Sequence, residues 1–304
     1  MEKLNVLVSL LTENNDYQRE QAAAAMAAAQ RLGVQAEVIY AQNDAVQQTQ
    51  QILHYIQNPS RRPDAIIVEP VGTGMFQVAR AAVAAGISWA IVNASVDYLS
   101  ALRQQAKTPV FCVSSDNEQI GKIQGQQIGA ILGESGCVLM IEGPSTRDVA
   151  RMRSRGMNLT KPRGVTVKTF KGDWTQQSGM HAMKSWLSLS TSRELHVGMI
   201  ACQNDDMAMG ARRAIEEIAD TTERDHWLKL PITGCDGVPK AGQAWVKQGR
   251  LTATVISPPI VGEAISLLTT SLRSAQYPPE LTLIPPSSFP VLSELKLTKA
   301  ASAS

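Results

Sequence analysis

Aromatic side chains are scarce, at 5% of 304 residues, so any core this chain builds is mainly aliphatic. Charge of one sign is also lacking. The net charge is +2, too little to set up a field that gathers nucleic acid or anionic lipid as a partner. No apolar run approaches the ~18 residues of a membrane-spanning helix, which argues against direct membrane insertion. The four histidines (His54, His181, His196, His226) are scattered, and none lies at ligand spacing. The four cysteines (Cys112, Cys137, Cys202, Cys235) each sit in a separate apolar run without a C-x-x-C pair. They read as buried thiols, neither disulfide-bonded nor metal-bound, and no cofactor is expected. Enzyme signatures are missing too. "VGTGMFQ" does not give G-x-G-x-x-G, and there is no Walker motif, nucleophile elbow or His-paired nucleophile. No helix-turn-helix fits before Asn5.

What is present is an ordinary globular balance, 44% hydrophobic and 18% charged, with ample material for real cores. Short continuous apolar runs alternate with amphipathic helical stretches. "NVLVSLLT", "AEVIY", "DAIIVEP", "SWAIVN" and "PVFCVS" are separated by "DYQREQAAAAMAAAQRLG", "DAVQQTQQILHYIQ" and "GMFQVARAAVAAG". The pattern then starts again, with "GCVLMIEG", "VTVKTF", "GMIACQ", "PITGCDG" and "LTATVIS" as strands. Strands apolar on both faces belong to parallel sheets covered by helices on each side. Two successive doubly wound α/β lobes fit this length better than one very long sheet. The last residues, "KLTKAASAS", read as a tail.

Ligands in such folds bind outside the carboxyl ends of the strands. Those ends carry Ser9 with Asn15 and Tyr17 just beyond, Glu69, Asn93, Ser114 to Asn117, Glu142, Asp173 with Trp174, Gln203 to Asp206, Asp236 and Ser257. Arg151 and Arg153 follow on the helix after "EGPSTRD". Amides, carboxylates, hydroxyls, an arginine fork and aromatic faces suit a neutral polyhydroxylated ligand. Taken singly, each has a plainer reading. Asn204 or Asp205 is an N-cap for "DMAMGARRAI", Trp174 a core tryptophan, and Arg153 a solvated helix residue. The functional reading rests on their joint placement at strand ends in both halves.

These residues resemble the type I periplasmic binding proteins, in the pattern of ribose-binding protein and its sugar-binding relatives, over nearly the whole chain. The fold is shared with the effector domain of lac-repressor-type regulators. "CQNDDMAMGARRAI", "ITGCDGVPKAGQAWVKQGRLTATV" and "VSSDNEQIGKIQGQQIG" carry the resemblance, supported by "LVSLLTENNDYQ", "IIVEPVGTG" and "VARMRSRGM". It implies that Asn204, Asp236 and Arg153 contact the sugar and that Trp174 stacks on it. Asn15 and Tyr17 would contribute from the first lobe, with Ser9, Asn93 and Ser257 at the remaining family positions. The polar ending of "GMIACQNDD" then reflects a ligand seated there. Three departures point away from ribose towards another polyol or sugar. Asn93-Ala94 replaces Asp-Arg, Ser257 followed by Pro258-Pro259 replaces a glutamine, and Gln18 stands where a second aromatic is expected.

The resemblance also implies three crossings between lobes, near Ser115, Ser257 and Leu281. Residues 1–115 plus 258–280 would form the N-terminal lobe and 116–257 plus 281–304 the C-terminal lobe, joined by a three-strand hinge. The implied function is to bind a small sugar or polyol in the interlobe cleft, as the solute-binding component of an ABC-type transporter whose permease is the partner. A cytoplasmic sugar-sensing module without a DNA-binding domain is the alternative. Met1-Glu2-Lys3 runs straight into "LNVLVSLL" without a secretory leader. With Met1 as the native start the chain is expected in the cytoplasm, whereas the family's usual place is the periplasm or cell envelope.

Overall fold

The computed structural model describes residues 3–189, 195–274 and 276–296. The chain divides into two compact units, Met1–Ser115 with Pro259–Ile284 and Asp116–Pro258 with Pro285–Ser304. The tail read from the sequence lies, from residue 297 on, outside the described residues.

The first unit is built on a parallel sheet of β1 (Asn5–Leu10), β2 (Gln35–Tyr40), β3 (Ala65–Val68), β4 (Ser88–Val92), β5 (Val110–Ser115) and β11 (Leu281–Ile284), in the order β11-β5-β4-β3-β1-β2. Alternate residues of each strand enter two cores. Val6, Val8, Ile67, Ala90, Val92, Phe111 and Val113 pack on the face of α1 (Asp16–Leu32) and α11 (Val261–Ser274). Leu7, Ile66, Val68, Trp89, Ile91 and Cys112 pack on the face of α2 (Ala45–Gln57), α3 (Phe76–Ala84) and α4 (Leu99–Gln105). Period-two alternation between two covered faces explains why these strands read as unbroken apolar runs. Each fully buried aliphatic side chain contributes roughly 1.5–3 kcal/mol. Gln21 of α1 ties the last helix down, accepting from Ile260 N at 2.9 Å and Val261 N at 3.0 Å.

The second unit holds a parallel sheet, β7-β6-β8-β9, of β6 (Ser135–Glu142), β7 (Gly164–Lys171), β8 (Met199–Cys202) and β9 (Ile232–Thr233). Parallel bridges Thr233–Ala253 and Asp236–Ile256 link it to β10 (Thr254–Ile256), which pairs antiparallel with β12 (Ser287–Phe289). Its helices are α5 (Asn117–Leu132), α6 (Asp148–Thr160), α7 (Gln176–Leu187), α8 (Asp205–Glu216), α9 (Thr221–Leu228) and α10 (Gly242–Lys247). Two helix pairs approach at backbone distance. A Cβ on Gly121 of α5 would lie 2.0 Å from Arg153 O, and one on Gly156 of α6 2.0 Å from Glu118 O. Gly179 of α7 and Gly210 of α8 make the equivalent contact, at 2.2 Å from Met207 O and 1.9 Å from Gln176 O.

The α/β class and doubly wound parallel architecture are those expected from the sequence. Three details differ. Leu281–Ile284 lies in register with Cys112–Ser115 on the edge of the first sheet, so these residues belong to the first unit rather than the second. The returning segment begins at Pro259 rather than 258. Helices α4 and α9 are absent from the sequence reading, because each is a short mixed stretch held by a single buried face (Leu99 and Leu102 in one, Trp227 in the other).

Candidate functional site

Four consecutive residues at the end of β8 organise one end of the second unit, each anchored to a different segment. Gln203 donates through Nε2 to Ala150 O at 3.1 Å and Ser154 Oγ at 2.9 Å, and its Oε1 accepts from Gly143 N at 3.0 Å. It thereby joins the strand to α6 and to the loop after β6. Asn204 caps α8, its Oδ1 accepting from Met207 N at 2.9 Å, while its Nδ2 donates to Trp174 O at 2.9 Å. Asp205 accepts from Thr254 Oγ1 at 2.7 Å and Gly237 N at 2.8 Å. Asp206 accepts from Gln176 Nε2 of α7 at 3.0 Å.

Around this hub the structure brings three of the sequence-assigned residues together. Arg153 of α6 is 4% exposed. Its Nε donates to Asn117 Oδ1 at 3.0 Å and its Nη1 to Gln203 O at 2.5 Å. Its Nη1 lies 4.0 Å from Asp236 Oδ1, and its Cζ is 5.7 Å from the centroid of the Trp174 ring. Both Trp174 and Asp236 have left-handed backbones, with φ of 74° and 108°. Such conformations cost a non-glycine residue on the order of 1–3 kcal/mol and persist where the surroundings over-determine them. The Asn204 bond to its carbonyl restrains Trp174. Asp236 is held by Asp236 N donating to Val255 O and Ser257 N donating to Asp236 O, both at 3.0 Å. That last bond places Ser257 beside Asp236. The Trp174 ring lies against Gly143, where a Cβ would fall 2.1 Å from Cζ2.

At the strand ends of the first unit, the site residues sit in an amide–carboxylate network. Asn93 follows β4 with a left-handed backbone, φ 52°, and donates from Nδ2 to Glu69 Oε1 at 3.1 Å. Gln18 donates to the other Glu69 oxygen at 2.9 Å and accepts from Leu11 N at 3.2 Å. Tyr17 is buried in the first turn of α1, and Asn15 is the N-cap of that helix, accepting from Gln18 N at 3.2 Å.

Ser9 is a core residue: it is fully buried, and its hydroxyl accepts from Gln48 Nε2 at 3.1 Å. Asn204 caps α8, the plainer role the sequence also offers, and Asn15 caps α1, a role the sequence analysis does not assign it. The polar ending of β8 thus braces the segments that carry Arg153, Trp174 and Asp236. Arg153 is buried and bonded within its unit, not solvated. Glu69 and Asn117 stand among the strand-end candidates and Gln18 at a position where an aromatic is expected, and the structure ties all three to assigned residues or to one another. The signal for Glu69 was legible, since a carboxylate closes the buried run "AIIVE". For Gln18 and Asn117 nothing in one dimension shows the partner. Among the described residues no cluster of His, Cys, Asp and Glu could hold a metal ion, and no helix is long and apolar enough to cross a membrane.

Comparison with known proteins agrees with this architecture. Residues 6–270 match the family described as periplasmic binding protein domain. The ribose import binding protein RbsB of Salmonella typhimurium is 27% identical over 201 residues, 63% of this chain and 64% of that protein. The xylitol-binding protein of Mycolicibacterium smegmatis is 28% identical over 221 residues, 70% of this chain and 56% of that protein. The chain thus spans less than two thirds of the length of these curated relatives. Among solved structures, an ABC transporter periplasmic solute binding protein from Actinobacillus succinogenes with bound D-allose superposes with a TM-score of 0.80 at 21% identity, covering 94% of this chain and 97% of that one. An ABC transporter solute binding protein from Bacillus halodurans with bound myo-inositol gives 0.75 at 23%, covering 94% of each. At these identities the superpositions speak for the fold. With the family pattern matched over residues 6–270 and parallel-sheet units of the same fold, the chain belongs to the periplasmic binding protein family, in its type I, ribose-binding-protein-like form.

Proposed function

We propose that this protein binds a neutral sugar or polyol and acts as the solute-binding component of an ABC-type sugar transporter, without catalysing a reaction on it. The observation that carries the reading is the grouping of Arg153, Asp236 and Trp174 at one end of the second unit. Arginine supplies fixed donors to hydroxyl oxygens, a carboxylate accepts from hydroxyl protons, and an indole face covers the C–H side of a ring. The curated relatives are named for binding ribose and xylitol, and both solved relatives above are transporter solute-binding proteins. Asn93, with Tyr17, is the contribution expected from the first unit.

A thermal-shift screen over pentoses, hexoses and polyols tests the reading, because a ligand that binds only the folded state raises its melting temperature. D-Allose, D-ribose, xylitol and myo-inositol belong in the first panel. A neutral compound that raises Tm, and that does so less in Asp236→Ala, supports the proposal. No response to any neutral polyol, together with a response to an amino acid or nucleotide, overturns it.

A further inference from the structure

Asp205 follows the residue that caps α8, and its own carboxylate turns away from the helix start. One oxygen accepts from Thr254 Oγ1 and the other from Gly237 N. Its N–H donates to Cys235 O at 2.6 Å. Two glycines make room for it, since a Cβ on Gly234 or Gly242 would fall 2.2 Å or 2.0 Å from a carboxylate oxygen. One buried side chain thus fastens the segment around Asp236 to β10, and Asp236 itself has φ 108°, which only a well-held backbone sustains.

We infer that Asp205 is a positioning residue: by holding the Gly237 amide and the Thr254 hydroxyl, it fixes the Asp236–Gly237 turn and the direction in which Asp236 presents its carboxylate to a solute. The inference rests on the reading of Asp236 as a ligand contact. It has a chemical consequence. The charged and titratable groups facing Asp205 are Asp206 on its own helix, Arg153 from α6, Cys202 at the end of β8 and Cys235 after β9, with Asp236 acting in turn on Cys235. Burial, with the Asp206 charge, holds the Asp205 carboxyl up at about 7, against the opposing pull of its two hydrogen bonds and Arg153. A proton on the oxygen facing Gly237 removes that acceptor, and a proton on the other oxygen reverses the Thr254 bond and leaves Gly237 a neutral acceptor in place of a charged one. The ionised form therefore holds the turn most firmly.

Amide NMR on the intact chain from about pH 5.5 to about pH 8.5 tests this without a ligand. The Gly237 resonance should titrate with a midpoint near 7 in the wild type and stay flat in Asp205→Asn. In Asp206→Asn it should still titrate, from a lower midpoint. A flat Gly237 resonance in the wild type, or one that titrates unchanged in Asp205→Asn, overturns the inference. Calorimetry with D-allose, D-ribose, xylitol and myo-inositol adds the functional arm. Affinity for a bound member should rise up to about tenfold from pH 6 to pH 8 in the wild type, the worth of one hydrogen bond, and lose that dependence in Asp205→Asn. A wild-type affinity indifferent to pH while Gly237 titrates would also overturn the link to binding. If no member of the panel binds, the Gly237 titration still decides whether Asp205 governs the turn.

Discussion

Arg153 divides its guanidinium between Asn117 Oδ1 and Gln203 O, with Asp236 close by. Replacing it by alanine leaves those acceptors buried, so Arg153→Ala should destabilise the unliganded protein by about 1–3 kcal/mol as well as abolish much of the binding. The expectation for a residue facing water would be no such loss, and urea unfolding without ligand separates the two. Asp236→Ala should weaken solute binding by roughly tenfold to over a hundredfold, the value of a charged hydrogen bond to a hydroxyl. Calorimetric titration checks it, and unchanged affinity would move the site elsewhere. Gly143→Ala drives a methyl into the Trp174 ring and should displace it, read as altered tryptophan fluorescence together with weaker binding. Asp205 also links stability to pH. Its carboxyl titrates near 7 in the native state and near 4 in the unfolded chain, so the native state holds the extra proton in that window. The stability this contributes is fully present below about pH 4 and is lost as pH rises towards 7, with a slope of up to about 1.4 kcal/mol per pH unit. The difference in unfolding free energy between the wild type and Asp205→Asn, followed from pH 5 to 8, should show that slope.

At the scale of elements, helix pairs set where the site side chains stand. Helices α5 and α6 touch backbone to backbone through Gly121 and Gly156, and these same helices carry Asn117 and Arg153. Gly121→Ala forces a Cβ to within 2.0 Å of Arg153 O, so the helices must separate. The expected cost is about 1–3 kcal/mol or more, with a loss of affinity, because Arg153 moves with α6. Gly33, which closes α1 at φ 66° with nothing within 4 Å of an added Cβ, offers a contrast. Gly33→Ala there should cost only the left-handed strain, roughly 1 kcal/mol, and leave binding alone.

For the whole molecule, the chain passes between its two units after Ser115, Pro258 and Ile284, so neither unit is one continuous stretch of sequence. Cysteines report on both: Cys112 lies in the first, and Cys137, Cys202 and Cys235 in the second, all free and buried. Burial raises the thiols of Cys112, Cys202 and Cys235 well above the ordinary range, which suppresses the reactive thiolate. Alkylation without reductant should label none of the four rapidly in the native protein and all four in denaturant. A solute at a hundred times its Kd stabilises by about 2.7 kcal/mol and should slow labelling under partly denaturing conditions accordingly.

Sequence alone determined the class of the fold. Continuous apolar runs such as "AIIV" and "VFCV" are unbroken because both sheet faces are covered, and that requirement leaves its mark locally. It also marked the ends of strands, where polar residues stand out against apolar neighbours. What the tertiary structure alone decided is which strand-end group faces which. Asn204 and Asp205 are adjacent and alike in the sequence, yet one caps a helix and holds Trp174 while the other reaches Gly237 and Thr254, 32 and 49 residues on. The edge strand β11 has the same character, because its short alternating "LTLI" acquires its place only from pairing with β5. The physical reason is common to these cases. A local pattern records how much of a residue is buried, whereas the partner of a buried polar group depends on the path of a chain that crosses between two units three times.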